Sequence, residues 1–248
     1  MTRPLLALHA MFMHGAAMAP LAEALGREII APGLPGHRRG PPWVEGRDYM
    51  EQAVDVALAA MPDESIDLFG HSLGATVALH VAVARPEQVR SLTIFEPALF
   101  SAASGAALED YLRAMKVVSD ALETGREGTA AAEFHAHWGT GAAWEDLPTN
   151  LRKTILRLIP LVPATEPAVV HDKHGLLPQL RSCTVPVLVL QQGAHQQLPV
   201  MASICEGLRG LLPNVTVRSV AGEGRHMLPV TAPQAVAAEV AAFWAHLP

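Results

Sequence analysis

Short apolar runs bounded by glycine, proline or charged residues alternate along this chain with longer segments whose apolar positions recur every three or four residues. The first pattern marks strands buried on both faces and the second marks helices, so the alternation predicts a mostly parallel sheet covered on both sides. Strands are expected at 5–9, 28–31, 65–69, 91–95, 187–191 and 216–220. Helices are expected at 20–25, 49–61, 73–85 and 201–212. A last one at 232–247 carries Thr231 and Gln234 at capping-box spacing, with Val236, Val240, Phe243 and Trp244 on one face.

Residues 99–182 break the alternation, with helical periodicity and no strand pattern. The interval is too long for a loop. Leu108, Leu112, Met115 and Val118 mark one helix, Phe134 and Trp138 another, and Leu151, Ile155, Leu158 and Ile159 a third. The expected organisation is one domain, 1–98 with 183–248, carrying a helical insertion at 99–182.

Composition narrows the class. The chain has 248 residues, of which 50% are hydrophobic and 17% charged, which suits a large globular domain and excludes a disordered or coiled-coil chain. A net charge of −6 argues against a nucleic-acid partner. The two cysteines, Cys183 and Cys205, have neither metal-ligand nor disulfide-scaffold spacing, so they read as core residues in a reducing, cytoplasmic setting. The apolar N-terminal run resembles a signal peptide, but His9 and His14 interrupt it and the sheet needs it as a strand. No stretch has the length of a membrane span, so no membrane partner is expected.

Candidate chemistry centres on Gly70-His71-Ser72-Leu73-Gly74, a G-x-S-x-G sequence between an apolar strand and a helix rich in small residues. In that setting it reads as a nucleophile elbow, a tight turn that lifts the serine hydroxyl above the sheet edge. The glycines on either side are required where strand and helix converge and a side chain would collide with the opposite backbone. An insertion following the next strand would lie over that same edge as a lid.

With this elbow, the order elbow, insertion, strand, strand and late histidine resembles the α/β-hydrolase family over nearly the entire chain. Leu8-His9-Ala10-Met11 resembles the family's strand end that leads into the oxyanion loop, with Ala10 in place of the usual glycine. Segment 32–40 resembles a D-x-P-G-x-G-x-S loop, with Gly33 in place of the aspartate and Gly40 in place of the serine. Gly222-Glu223-Gly224-Arg225-His226 resembles the loop that delivers the catalytic histidine. The resemblance implies an α/β-hydrolase fold of about six strands, starting at the family's third strand without its N-terminal hairpin.

The site expected from these readings is a triad with Ser72 as nucleophile and His226 as base. The family most often supplies an aspartate after the strand at 187–191, but the loop there reads Gln192-Gly193-Ala194-His195-Gln196-Gln197-Leu198. Glu96 becomes the candidate acid. It ends the strand after the elbow, where some family members such as certain haloalkane dehalogenases place theirs, and a carboxylate beside Phe95 is expensive without a fixed partner. Backbone amides of Met11 and Leu73 are the expected oxyanion donors. Phe100 and Trp138 are candidate pocket walls, though either could serve only as lid core.

The other histidines receive lesser roles. His71 reads as packing behind the nucleophile, and His9, His14 and His37 as structural groups near the same edge. His135, His137, His171 and His174 fall in the insertion without a ligand pattern, so no metal and no cofactor is implied. The function expected is hydrolysis of an ester or related acyl bond of a small-molecule substrate, apolar and of small to medium size. C–C bond or lactone hydrolysis on the same residues, and a ligand receptor without turnover, are the alternatives.

Overall fold

The computed structural model describes residues 3–193 and 197–247. Six strands form one parallel sheet in the order β2-β1-β3-β4-β5-β6: β1 (Leu5–Leu8), β2 (Ile29–Ile30), β3 (Ile66–His71), β4 (Val89–Phe95), β5 (Val187–Gln192) and β6 (Val215–Val220). Leu5, Leu6, Ala7 and Leu8 are all buried, as expected for a strand with helices on both faces. Burying each such leucine contributes about 1.5–3 kcal/mol.

Among the described residues, helices α1 (Ala19–Ala24), α2 (Tyr49–Ala59) and α3 (Leu73–Ala84) belong to the first half of the sheet. Five follow between β4 and β5: α4 (Gly105–Glu123), α5 (Glu127–Trp138), α6 (Thr149–Leu158), α7 (Leu161–Val169) and α8 (Leu176–Leu180). Helices α9 (Pro199–Leu211), α10 (Leu228–Thr231) and α11 (Pro233–Trp244) complete the chain. α3 is apolar all round and buried on nearly every position, because it is wedged between the sheet and its neighbours. α1 and α11 cover the opposite face, where Phe69, Phe95, Leu188 and Leu190 meet Val236, Val240 and Phe243.

Two local expectations fail for identifiable reasons. The capping box at the last helix does not form: Ala232 is the N-cap, and the Thr231 hydroxyl instead donates to the Glu223 and Met227 carbonyls, ending the short α10. α7 has no counterpart in the sequence reading because Pro163 and Pro167 lie inside it. Ala194, His195 and Gln196, the centre of the loop read as lacking a carboxylate, lie outside the described residues.

The strand order places the site. From β1 the chain crosses to β2 on one side, and from β3 onward it proceeds on the other, so β1 and β3 flank the switch point where open α/β sheets gather ligands at their carboxyl ends. Leu8 lies opposite Gly70 in register, which brings residues after β1 alongside the turn after β3.

Candidate active site

Ser72 occupies that turn with φ 55° and ψ −116° between the last residue of β3 and the first of α3. Its backbone is tied on both sides: its N–H donates to the Phe95 carbonyl at 3.0 Å, and its carbonyl accepts from Ala98 at 3.1 Å. The glycine requirement is steric. A Cβ on Gly70 would lie 2.5 Å from the Ala75 Cα, and one on Gly74 would lie 2.3 Å from the Leu8 carbonyl oxygen. Glycine is thus what lets the start of α3 touch the end of β1.

Glu96 follows β4 immediately, in a left-handed conformation (φ 41°) and 1% exposed. A carboxylate there needs partners, and it has two: the Gln192 N–H donates to Oε1 at 2.9 Å, and His226 Nδ1 donates to Oε2 at 2.7 Å. A carboxylate only accepts, so the proton is on Nδ1 and Nε2 is the ring nitrogen left to receive another. His226 is buried and lines the same cavity as Ser72, Leu73 and Met11. Glu223, three residues before it, is exposed.

His71 does more than pack. Its ring is fully buried, 5.0 Å from the His226 ring between centroids, and Nε2–H donates to the His226 carbonyl at 2.8 Å. Burial first, then the neighbouring His226, push its pKa well below the usual histidine value, so it stays neutral. The residue before the elbow serine therefore holds the loop bearing the candidate base.

His9 and His37 shape the loop after β1. His9 Nδ1–H donates to Ala10 O at 2.8 Å while Nε2 accepts from Leu34 N–H at 3.1 Å. His37 Nδ1–H donates to Pro35 O at 3.0 Å while Nε2 accepts from Phe12 N–H at 3.2 Å. Burial lowers the pKa to about 3 for His9, with His37 adding to the effect, and to about 4 for His37. Either ring, if protonated on Nε2, would face an N–H with another N–H. His37 occupies the Phe12 amide, whereas the Met11 and Leu73 amides have no acceptor among the described residues. Both residues line the cavity.

Strain gathers at these positions. Of the six non-glycine residues with positive φ among the described residues, Ser72 and Glu96 are candidate site residues, while Phe12 and Arg225 adjoin Met11 and His226. Each costs on the order of 1–3 kcal/mol and persists where surrounding contacts impose it, as at functional sites.

The cavity, about 660 Å³, runs from Ser72 beneath the helices between β4 and β5. Phe100 and Trp138 both line it, with ring centroids 5.8 Å apart, and Trp138 lies 5.1 Å from the His226 ring. Sequence reasoning missed Tyr111, which lines the cavity stacked on Phe100 at 3.7 Å. Its spacing from Leu108 and Met115 was the available signal, since these positions share one face of α4. It also missed the Gln192 amide, a main-chain contact that no side-chain pattern encodes.

The histidines of the insertion stay apart: His135 bonds to Ala142 O, His171 faces Glu166, and His174 bonds to Asp48. Among the described residues, no three His, Cys, Asp or Glu side chains converge in a metal-holding group. Cys183 and Cys205 are free and buried, and burial pushes the Cys205 thiol up to about 12. No helix among the described residues is long and apolar enough to cross a membrane.

Comparison with known proteins agrees with this architecture. The family model of the alpha/beta hydrolase fold matches residues 3–230, and the chain belongs to that family. It is 35% identical over 146 residues to Lipase LipV of Mycobacterium tuberculosis, an alignment covering 57% of this chain and 51% of that protein. The chain thus matches about half the length of this curated relative. Among solved structures, an alpha/beta hydrolase from Sphaerobacter thermophilus superposes with a TM-score of 0.69 at 22% identity, covering 98% of this chain and 93% of that one. The haloalkane dehalogenase DatA from Agrobacterium tumefaciens superposes with a TM-score of 0.73 at 18% identity, covering 100% and 90%. At these identities the structural likeness carries the fold.

Proposed function

We propose that this protein is a serine hydrolase that cleaves a carboxylic ester or related acyl bond through an acyl-enzyme intermediate. The observation that carries the reading is the buried His226–Glu96 pair at 2.7 Å, whose His226 lines with Ser72 one apolar cavity at the switch point of the sheet. The lipase name of the curated relative supports ester chemistry.

In this reading Ser72 Oγ attacks the carbonyl carbon as His226 Nε2 takes its proton. Glu96 holds Nδ1–H throughout and stabilises the imidazolium. Negative charge developing on the carbonyl oxygen is met by the Met11 and Leu73 amides, and losing one such donor typically slows turnover by about 10²–10³-fold. The imidazolium returns its proton to the leaving alcohol. Water, deprotonated by His226, then attacks the acyl-enzyme, and the product acid leaves as Ser72 Oγ regains a proton. The reacting groups are all side chains or amides of this chain, and no cofactor enters the scheme.

A cavity of about 660 Å³ with mostly apolar walls suits an acyl or alkyl group of small to medium size.

The test is covalent labelling together with turnover. A fluorophosphonate probe should modify Ser72, and p-nitrophenyl butyrate should be hydrolysed. Ser72→Ala should abolish labelling and lower kcat by at least about 10⁴-fold. A folded native chain inert to both reagents, yet stabilised against heat by a small molecule, would make it a ligand receptor instead.

A further inference from the structure

Tyr111 is 7% exposed, and its ring is held from two sides: flat against Phe100, with ring planes 14° apart, and edge-on to Trp138 with centroids 5.9 Å apart. Trp138 in turn meets His226, so a single ring separates the phenol from the candidate base. The hydroxyl makes no hydrogen bond to any described residue, and it is not among the polar atoms sealed off by protein. Tyr111 lines the same cavity as Ser72.

A buried tyrosine normally finds a partner for its hydroxyl, and one needed only for packing would lose nothing as phenylalanine. Here the partner must come from whatever fills the cavity. The ring contacts fix where the hydroxyl stands, so little rotamer freedom is lost when it bonds. Burial, with the nearby Glu166 carboxylate adding to it, raises the phenol's pKa, and the group remains a proton donor throughout the neutral range.

We propose that the Tyr111 hydroxyl is a specificity determinant that donates a hydrogen bond to an oxygen on the substrate. The preferred esters then carry an ether or ketone oxygen on one arm, several bonds from the scissile carbonyl, rather than plain hydrocarbon. This rests on the hydrolase reading above. A plain alkyl ester of the same length would expel water from the phenol and return nothing. That mismatch favours the oxygen-bearing ester by roughly tenfold to a hundredfold in kcat/KM.

Two matched pairs test it. For the acyl arm, p-nitrophenyl 5-oxohexanoate is compared with p-nitrophenyl hexanoate. For the alcohol arm, 2-methoxyethyl butyrate is compared with butyl butyrate by pH-stat. The native protein should favour the oxygen-bearing member of at least one pair by tenfold or more, with the difference mainly in KM, and Tyr111→Phe should bring that ratio close to one. Fluorophosphonate labelling of Ser72 in the variant shows that the site is still assembled. No preference in either pair, or a preference that survives Tyr111→Phe, overturns the proposal. A native chain that neither labels nor turns over any of the four esters sinks the hydrolase reading, and this inference with it.

Discussion

Asp67 and Glu96 are both buried carboxylates, one near the start of β3 and the other just past the end of its neighbour β4, yet they have opposite company. Asp67, near the start of β3, is fully enclosed and contacts the Arg27 and Arg90 guanidinium groups, with Arg90 Nε at 2.8 Å, and accepts from the Ser91 hydroxyl at 2.7 Å. Trp244 closes this cluster, donating to Ser91 Oγ at 3.0 Å while Arg27 stacks over its ring. Glu96, past the end of β4, has one main-chain amide and one imidazole. Permanent cations leave Asp67 nothing to do but hold the sheet. A titratable partner leaves Glu96 able to stabilise a charge that comes and goes. In this fold, a carboxylate's partner separates the structural acid from the candidate catalytic one.

Glu96→Gln is the sharpest way to break the comparison. It keeps the shape but removes the charge behind His226, so kcat should fall by roughly 10³–10⁴-fold with the thermal midpoint little changed. A folded variant with near-native kcat refutes Glu96 as the acid. Asp67→Asn should do the reverse. With two half-buried guanidinium groups left without their anion, stability should fall by about 3–5 kcal/mol in urea titrations, while kcat per folded molecule holds. Loss of turnover without loss of stability would erase the distinction between the two ends of the sheet.

Acid sharpens it further, through the buried histidines. Burial holds His9 near 3, and His37 and His80 near 4, against 6.5 in the unfolded chain. The unfolded state therefore takes up protons first. Stability from these rings is complete above pH 6.5 and is lost as the pH falls toward 4, by about 1–2 kcal/mol per ring between pH 6.5 and 5. Urea midpoints that hold steady between pH 7 and pH 5 would contradict this. The smallest effect is expected at Arg39, exposed and left-handed (φ 62°) away from the site. Arg39→Gly should change stability by less than about 1 kcal/mol, in the stabilising direction, because strain there has no function to support. A large loss would show that left-handed residues outside the site are also built in.

The same physics explains what could be read from the chain. Strand runs and the elbow are legible because a doubly covered sheet needs continuous apolar stretches, and because Gly70 and Gly74 are forced by backbone contact. Glu96 is legible because a charge beside Phe95 contradicts its neighbours. The work of His37 is not, since its partner is the Phe12 amide, 25 residues away, and main-chain donors carry no residue type. α7 is hidden by its prolines, and Tyr111 by a helical face whose apolar partners suggest only packing.

Ser72, Glu96, His226, Met11 and Leu73 all lie outside residues 99–182, whose five helices supply Tyr111, Trp138 and much of the remaining cavity wall. On the proposed function, taste and bite are thus encoded separately. A chimaera that swaps this one contiguous segment should then inherit a new diet while keeping the old teeth.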